Sequence, residues 1–208
     1  MKIGFIGSGN IGRTVASCFL RAGHSVVMSN SRGPETLSDL VKELGPKAKA
    51  ATAEQAAHEG DLIVVTVPLY ALPKLSTSGT DGKVIIDTMN YYPFRDGHIA
   101  SLDDGTATTS ELTAEHFPNA RVVKAFNSII ASEIQTTAKP QGDPQRRTLP
   151  IAGNDAEAKK TVIDLIESIG FDVYDAGALH EGYRFQNGTP AYCARANRDE
   201  LIHLLQQA

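Results

Sequence analysis

Six residues near the start of the chain, Gly7-Ser8-Gly9-Asn10-Ile11-Gly12, restrict the possible folds more than any other feature. A G-x-G-x-x-G run says little by itself, because its meaning depends on what flanks it. Here Lys2–Gly7 reads as a strand. Asn10–Ala22 reads as an amphipathic helix with Ile11, Val15, Cys18 and Ala22 on one face and Gly23 as its stop. A strand that enters a helix through three such glycines is the opening unit of a dinucleotide-binding sheet. Gly7 makes the tight turn, Gly9 lets the backbone approach a pyrophosphate, and Gly12 lets the helix pack closely on the strand. The N–H groups of Ser8–Ile11 then face the phosphate from the positive end of the helix.

The rest of the chain repeats the alternation of strand and helix. Ser25–Asn30 is a second strand, and Gly33-Pro34 opens a helix with Leu37, Leu40, Val41 and Leu44 as its buried stripe. Thr52-Ala53-Glu54-Gln55 is a capping box for a short helix. Asp61–Val67, Lys83–Thr88 and Arg121–Asn127 are nearly continuous apolar runs, as expected of parallel strands covered on both faces. Met89–Thr113, rich in Asp, Gly, Thr and Ser, reads as a long loop over one sheet edge. A helical turn near Ile130–Gln135 and a polar loop, Lys139–Arg147, lead to a further unit. That unit is strand Thr148–Ala152, helix Asp155–Ile169 capped by Asn154, and strand Phe171–Ala176, with a short charged helix at the end. The pattern predicts an α/β fold: a Rossmann-type doubly wound parallel sheet over residues 1–128, with a small C-terminal α/β cap over residues 129–208.

Composition narrows the function classes. With 208 residues, 41% hydrophobic, the chain has material for a proper core. A formal charge of −4 argues against a nucleic-acid partner, which requires a basic stripe. Leu62–Val67, cut short by Pro68, is no membrane span, and the glycine-interrupted N-terminus is not a signal peptide. The two cysteines, Cys18 and Cys193, belong to no disulfide or zinc motif, so no metal is expected. Cys18 reads as a helix-face hydrophobe and Cys193 as a structural thiol. The expectation is a cytoplasmic protein without membrane partners, with a homodimer as the default assembly.

The end of the second strand selects the nucleotide. An NAD site places Asp or Glu about twenty residues past the last glycine, to accept the ribose hydroxyls. This chain has Ser31 and Arg32, 19 and 20 residues after Gly12. A carboxylate there would repel a 2′-phosphate, whereas a guanidinium grips it with charge-assisted bonds. The dinucleotide is therefore NADP, unless Arg32 is a solvated loop arginine. The nicotinamide half should lie across the carboxyl ends of the strands, against Thr66, Val67, Pro68 and Leu69, Asp87–Asn90, and Ala125–Ser128. Asn127 is either the carboxamide ligand or a strand-end turn former.

Four segments carry a family resemblance: Gly7–Gly12, Ser29-Asn30-Ser31-Arg32-Gly33-Pro34, Val123-Lys124-Ala125-Phe126-Asn127, and Pro150-Ile151-Ala152-Gly153-Asn154-Asp155. They resemble the NADPH-dependent oxidoreductases of the coenzyme F420 reductase type. The nucleotide half is also similar to the cytoplasmic domain of the six-transmembrane metalloreductases. The similarity runs to about Ala178. It implies an NADP(H) site at Ser8–Ile11, Ser31, Arg32, Val67 and Ala125. It further implies hydride transfer to a second flat ring, a flavin or deazaflavin (coenzyme F420). The C-terminus departs from that family's apolar tail, which leaves the redox acceptor open.

Hydride transfer between two bound molecules is chiefly positioning and needs no protein nucleophile, and none is evident. No residue is assigned a catalytic role. His180 is the one candidate proton donor, against a surface or capping role, and Arg184 either binds an acidic acceptor tail or caps in solvent. Tyr183, Phe185 and Tyr192 either stack on an acceptor ring or pack in the core. Two other functions compete with a reductase of a small acceptor. One is an NADP(H)-binding redox sensor without turnover. The other is a 3-hydroxyacid or imine-type dehydrogenase, which would require a long all-helical domain.

Overall fold

The glycine turn joins β1 (Lys2–Ile6) to α1 (Asn10–Arg21), whose buried face carries Val15, Ala16, Cys18 and Phe19. Next come β2 (Ser25–Ser29), a 3-10 turn Pro34–Leu37, α2 (Ser38–Leu44), β3 (Ala48–Ala50), α3 (Ala53–Glu59), β4 (Leu62–Val65) and β5 (Val84–Asp87). Then α4 (Pro93–Asp96), α5 (Ala100–Asp103) and α6 (Thr109–His116) lead to β6 (Arg121–Lys124). The C-terminal part holds α7 (Ala131–Thr136), β7 (Thr148–Gly153), α8 (Ala156–Ser168), β8 (Asp172–Asp175), a 3-10 segment Leu179–Phe185 and α9 (Arg198–Leu205). In this computed structural model, which describes residues 1–208, the strands form one sheet in the order β3-β2-β1-β4-β5-β6-β7-β8.

All neighbours run parallel except β6 and β7, where Val123 faces Gly153 and Lys124 faces Ala152 in an antiparallel pair. The C-terminal strands therefore continue the first sheet rather than building one of their own. Strands β4 and β5 are buried throughout, and alternate side chains feed two cores. Val64 and Ile86 pack with Phe19, whereas Ile63, Val65 and Ile85 pack with Leu69 and Phe117. A third cluster, with Phe185, Ala191, Leu201 and Leu205 against Ala152 and Ala176, seats the C-terminal residues on β7 and β8.

Four local expectations change. The edge strand β3, only three residues long and half-exposed, carries no apolar signature. The helix expected from Gly33-Pro34 starts as a 3-10 turn before α2. Met89–Thr113 is not a loop throughout. It holds α4 and α5, and Thr108 begins α6 with a capping box, its hydroxyl accepting from Glu111 N and Glu111 returning a bond to Thr108 N. Asp155, not Asn154, caps α8 by accepting from Ala158 N at 2.7 Å. Asn154 Oδ1 instead accepts from Leu179 N at 2.8 Å, which draws the C-terminal 3-10 segment onto the sheet.

Candidate functional site

Strand order reverses at β1, which has β2 on one side and β4 on the other. The loops leaving β1 and β4 meet at their carboxyl ends, where Thr66 N–H donates to Ile6 O at 2.9 Å. Gly7 turns there with φ +112°, and a Cβ on it would strike the Thr66 carbonyl. A Cβ on Gly12 would lie 2.6 Å from Gly7 O and 2.8 Å from Thr66 Cγ2, so α1 approaches the turn as only glycine permits. A Cβ on Gly9 would meet nothing within 4 Å. The first intrahelical bond of α1 is Arg13 N–H to Gly9 O, and no side chain caps this end. The leading N–H groups of α1 are thus the natural seat for a phosphate.

A cleft of about 300 Å³ opens at this point. Its walls are Gly9, Asn10 and Ile11 after β1, Thr66, Val67 and Pro68 after β4, Thr88, Met89 and Asn90 after β5, and Phe126, Asn127 and Ile129 after β6. Tyr92, Arg95 and Tyr192 complete it. Most residues expected at the nicotinamide end therefore share one cavity. Ala125 does not line it: fully buried, its N–H donates to Asp87 O at 3.0 Å behind the wall. Leu69 points into the core instead. Ser31 and Arg32 are exposed at the end of β2, beside the glycine turn, which Gly7 N–H ties to Ser29 O at 3.2 Å. Asn30 Oδ1 accepts the Arg32 N–H at 2.9 Å and shapes this corner.

Asn127 supplies the most specific polar feature. Phe126 holds φ +60°, its ring edge-on to Phe19 at 6.3 Å, and this turn delivers the next residue to the cleft. The Asn127 amide Nδ2 donates to Phe185 O at 3.0 Å, which leaves Oδ1 buried and without a hydrogen-bond partner. Such an acceptor costs about 1–3 kcal/mol if nothing satisfies it. A carboxamide NH₂ suits it, so the cleft fits a nicotinamide.

Two features escaped sequence reasoning. Lys124 is fully buried, its Nζ 3.3 Å from Asp87 Oδ2, 2.7 Å from Thr109 Oγ1, and bonded to the Met89 carbonyl. Burial pushes the Lys124 ammonium below its ordinary pKa, with Asp87 opposing that shift. The pair holds the Met89 wall against α6, and a lysine within Val122-Val123-Lys124-Ala125 was the signal for it. The second feature is a hydrogen bond of 2.8 Å between the hydroxyls of Tyr92 and Tyr192, one hundred residues apart in the chain. Of the aromatic candidates only Tyr192 reaches the cleft. Tyr183 is exposed beside His180, and Phe185 packs in the third core.

His180 lies outside the cleft, its Nδ1 hydrogen-bonded to the Glu111 carboxyl at 3.1 Å with both side chains partly exposed. Its sequence position pointed inward, but the 3-10 segment turns it toward α6. Arg184 is likewise engaged, with Glu181 at 2.9 Å and with Ala176 O. Cys18 accepts from Arg21 in the core, and burial raises its thiol, as it raises that of Cys193. No group of ligating side chains in the structure has metal-site geometry, and no helix is long and apolar enough to cross a membrane.

Comparison with known proteins places this geometry. Residues 2–91 match the family model described as NADP oxidoreductase, coenzyme F420-dependent. Over those residues the chain is similar to this family. It is 28% identical over 207 residues to the F420-dependent NADP reductase of Methanothermobacter marburgensis, covering 91% of this chain and 90% of that one. A putative F420-dependent NADP reductase from an Arthrobacter species superposes with a TM-score of 0.74 at 28% identity, over 88% of this chain and 87% of that chain. The metalloreductase STEAP3 of Rattus norvegicus is 32% identical over 180 residues, 86% of this chain. The chain spans only about a third of the length of the metalloreductases it matches, 34% in that case.

Proposed function

We propose that the chain is an NADPH-dependent oxidoreductase that passes hydride between nicotinamide and a small redox acceptor, of flavin or deazaflavin type. The observation that carries this reading is the cleft running from the glycine turn to the unpartnered Asn127 Oδ1. NADP(H), when bound, supplies or receives the hydride. The turn Gly7–Gly12 and the first N–H groups of α1 hold the pyrophosphate, and Ser31 with Arg32 holds the 2′-phosphate. Ile11, Val67 and Pro68 exclude water from one ring face, while Asn127 orients the carboxamide. The names of the reductase relatives, matched over nine-tenths of their length in the Methanothermobacter case, support turnover on an F420-like ring.

NADPH oxidation, assayed against flavins, deazaflavins, quinones and ferric chelates, tests the reading. Turnover with any of them supports it. Tight NADPH binding without turnover supports a sensor, and failure to bind NADPH removes both.

A further inference from the structure

We propose that the hydrogen-bonded phenols of Tyr92 and Tyr192 donate to a ring carbonyl of the second substrate, which makes a conjugated cyclic carbonyl compound the acceptor class. The inference rests on the oxidoreductase reading above and names the chemistry of its other half. Tyr92 follows β5, Tyr192 belongs to the C-terminal segment, and both side chains line the cleft that Asn127 enters. Their hydroxyls lie 2.8 Å apart, and neither bonds another oxygen or nitrogen of the protein. Two phenols carry two protons. The bond between them uses one, so one O–H remains to donate, with the Cys193 thiol beside Tyr192 as a weak competing partner.

That free donor is strengthened by its partner, since a hydroxyl that accepts a hydrogen bond becomes a better donor. Burial, and then the Tyr92 bond, holds the Tyr192 phenol far above its usual pKa, so it stays neutral at physiological pH. Arg95 fixes the Tyr92 ring, its guanidinium 4.8 Å from the ring centroid and anchored on Asp96 and on Asn90 O at 2.8 Å. The cleft thus offers one free acceptor and one free donor. Asn127 Oδ1 suits an amide N–H, and the phenols suit a carbonyl oxygen.

Reduction of such a ring adds a hydride, two electrons with one hydrogen, at an atom conjugated to the carbonyl. The displaced π pair moves onto the carbonyl oxygen, where the phenol O–H stabilises the developing charge, as donors in an oxyanion hole do. Water at the cleft mouth supplies the proton that completes the reduction.

The test compares wild type with Tyr192→Phe, Tyr92→Phe and the double variant. Menadione and FMN serve as carbonyl acceptors, and methylene blue as a hydride acceptor without a carbonyl. Binding of FMN to the NADP⁺-loaded protein, read by flavin fluorescence, gives a measure independent of turnover. At least one single variant should lose about tenfold or more in kcat/KM for menadione and FMN and bind FMN more weakly. Methylene blue reduction and NADPH affinity should stay within twofold, and the double variant should be no worse than the stronger single one. Equal losses with all three acceptors would overturn the proposal, as would unchanged kinetics. A loss confined to NADPH affinity would also overturn it, assigning the phenols to the carboxamide. Wild type that oxidises NADPH with none of these acceptors, nor with a deazaflavin or a ferric chelate, would remove the oxidoreductase reading itself, and this proposal with it.

Discussion

Asn127 Nδ2 donates to the carbonyl of Phe185 at 3.0 Å, so a residue that lines the cleft also closes the C-terminal segment onto the sheet, with its Oδ1 buried and unpartnered. Site and fold are joined at this side chain. Asn127→Ala should therefore lower stability by about 1–3 kcal/mol, because the Phe185 carbonyl loses its donor. It should also weaken NADPH binding by about tenfold, the worth of one hydrogen bond. Urea unfolding and a nucleotide titration separate the two effects. Lower stability with unchanged affinity would leave Asn127 as a tie between segments and nothing more.

Arg32 is exposed and only its backbone is engaged, so its substitution tests binding without disturbing the fold. Arg32→Asp should cost at least about tenfold in NADPH affinity and leave NADH nearly unaffected, since it replaces a phosphate partner with a repelling charge. Equal losses for the two nucleotides would detach Arg32 from the 2′-phosphate.

Gly9 and Gly12 should part ways under the same change. A Cβ on Gly9 meets nothing within 4 Å, so Gly9→Val should unfold at the parent temperature yet bind neither NADPH nor NADH. A Cβ on Gly12 would sit 2.6 Å from Gly7 O, a backbone atom that cannot swing aside. Gly12→Val should therefore lose stability as well as binding. Calorimetry with and without nucleotide checks both, and a Gly9→Val protein that retains affinity would move the nucleotide away from this turn.

What the sequence made legible follows from how local each signal is. The glycine turn, the apolar strands and the Ser31-Arg32 corner are written within a few neighbouring residues, and their places in the sheet agree with that reading. The antiparallel pairing of β7 on β6 is not local, and no period in Thr148–Gly153 distinguishes strand directions. The same holds for the wall opposite Asn127. Tyr92 and Tyr192 meet only because the chain end folds back over the cleft, while His180, closer in sequence to the expected pocket, is turned away by its 3-10 segment. The capping box at Thr108 is the exception. It was local and readable, but lay hidden in a polar stretch that composition marked as loop.

The same C-terminal closure should give the protein a characteristic sensitivity to acid. Glu133 on α7 receives Arg147 Nη1 at 2.7 Å on one oxygen and Arg195 Nη2 at 2.6 Å on the other, which pins the approach to β7 and the approach to α9 to one carboxylate. The Arg195 hydrogen bond, with Arg147 adding to it against the opposing effect of burial, holds the Glu133 carboxyl below its ordinary pKa. A folded-state pKa below the unfolded value of about 4.3 means that the unfolded chain binds the proton more tightly. The stabilisation is therefore complete above that value and is lost as pH falls through the folded pKa. Glu133→Gln keeps the shape and removes the charge, leaving the buried Arg147 short of its counter-ion. It should cost about 3 kcal/mol near neutral pH, the lower end for a broken buried pair, because the amide oxygen still accepts one bond. Urea unfolding of wild type and variant from about pH 7 down to about pH 3 should show the gap closing below about pH 4. A gap that stays constant across that range would mean that packing of the glutamate stem, and not its charge, holds the C-terminal segment in place.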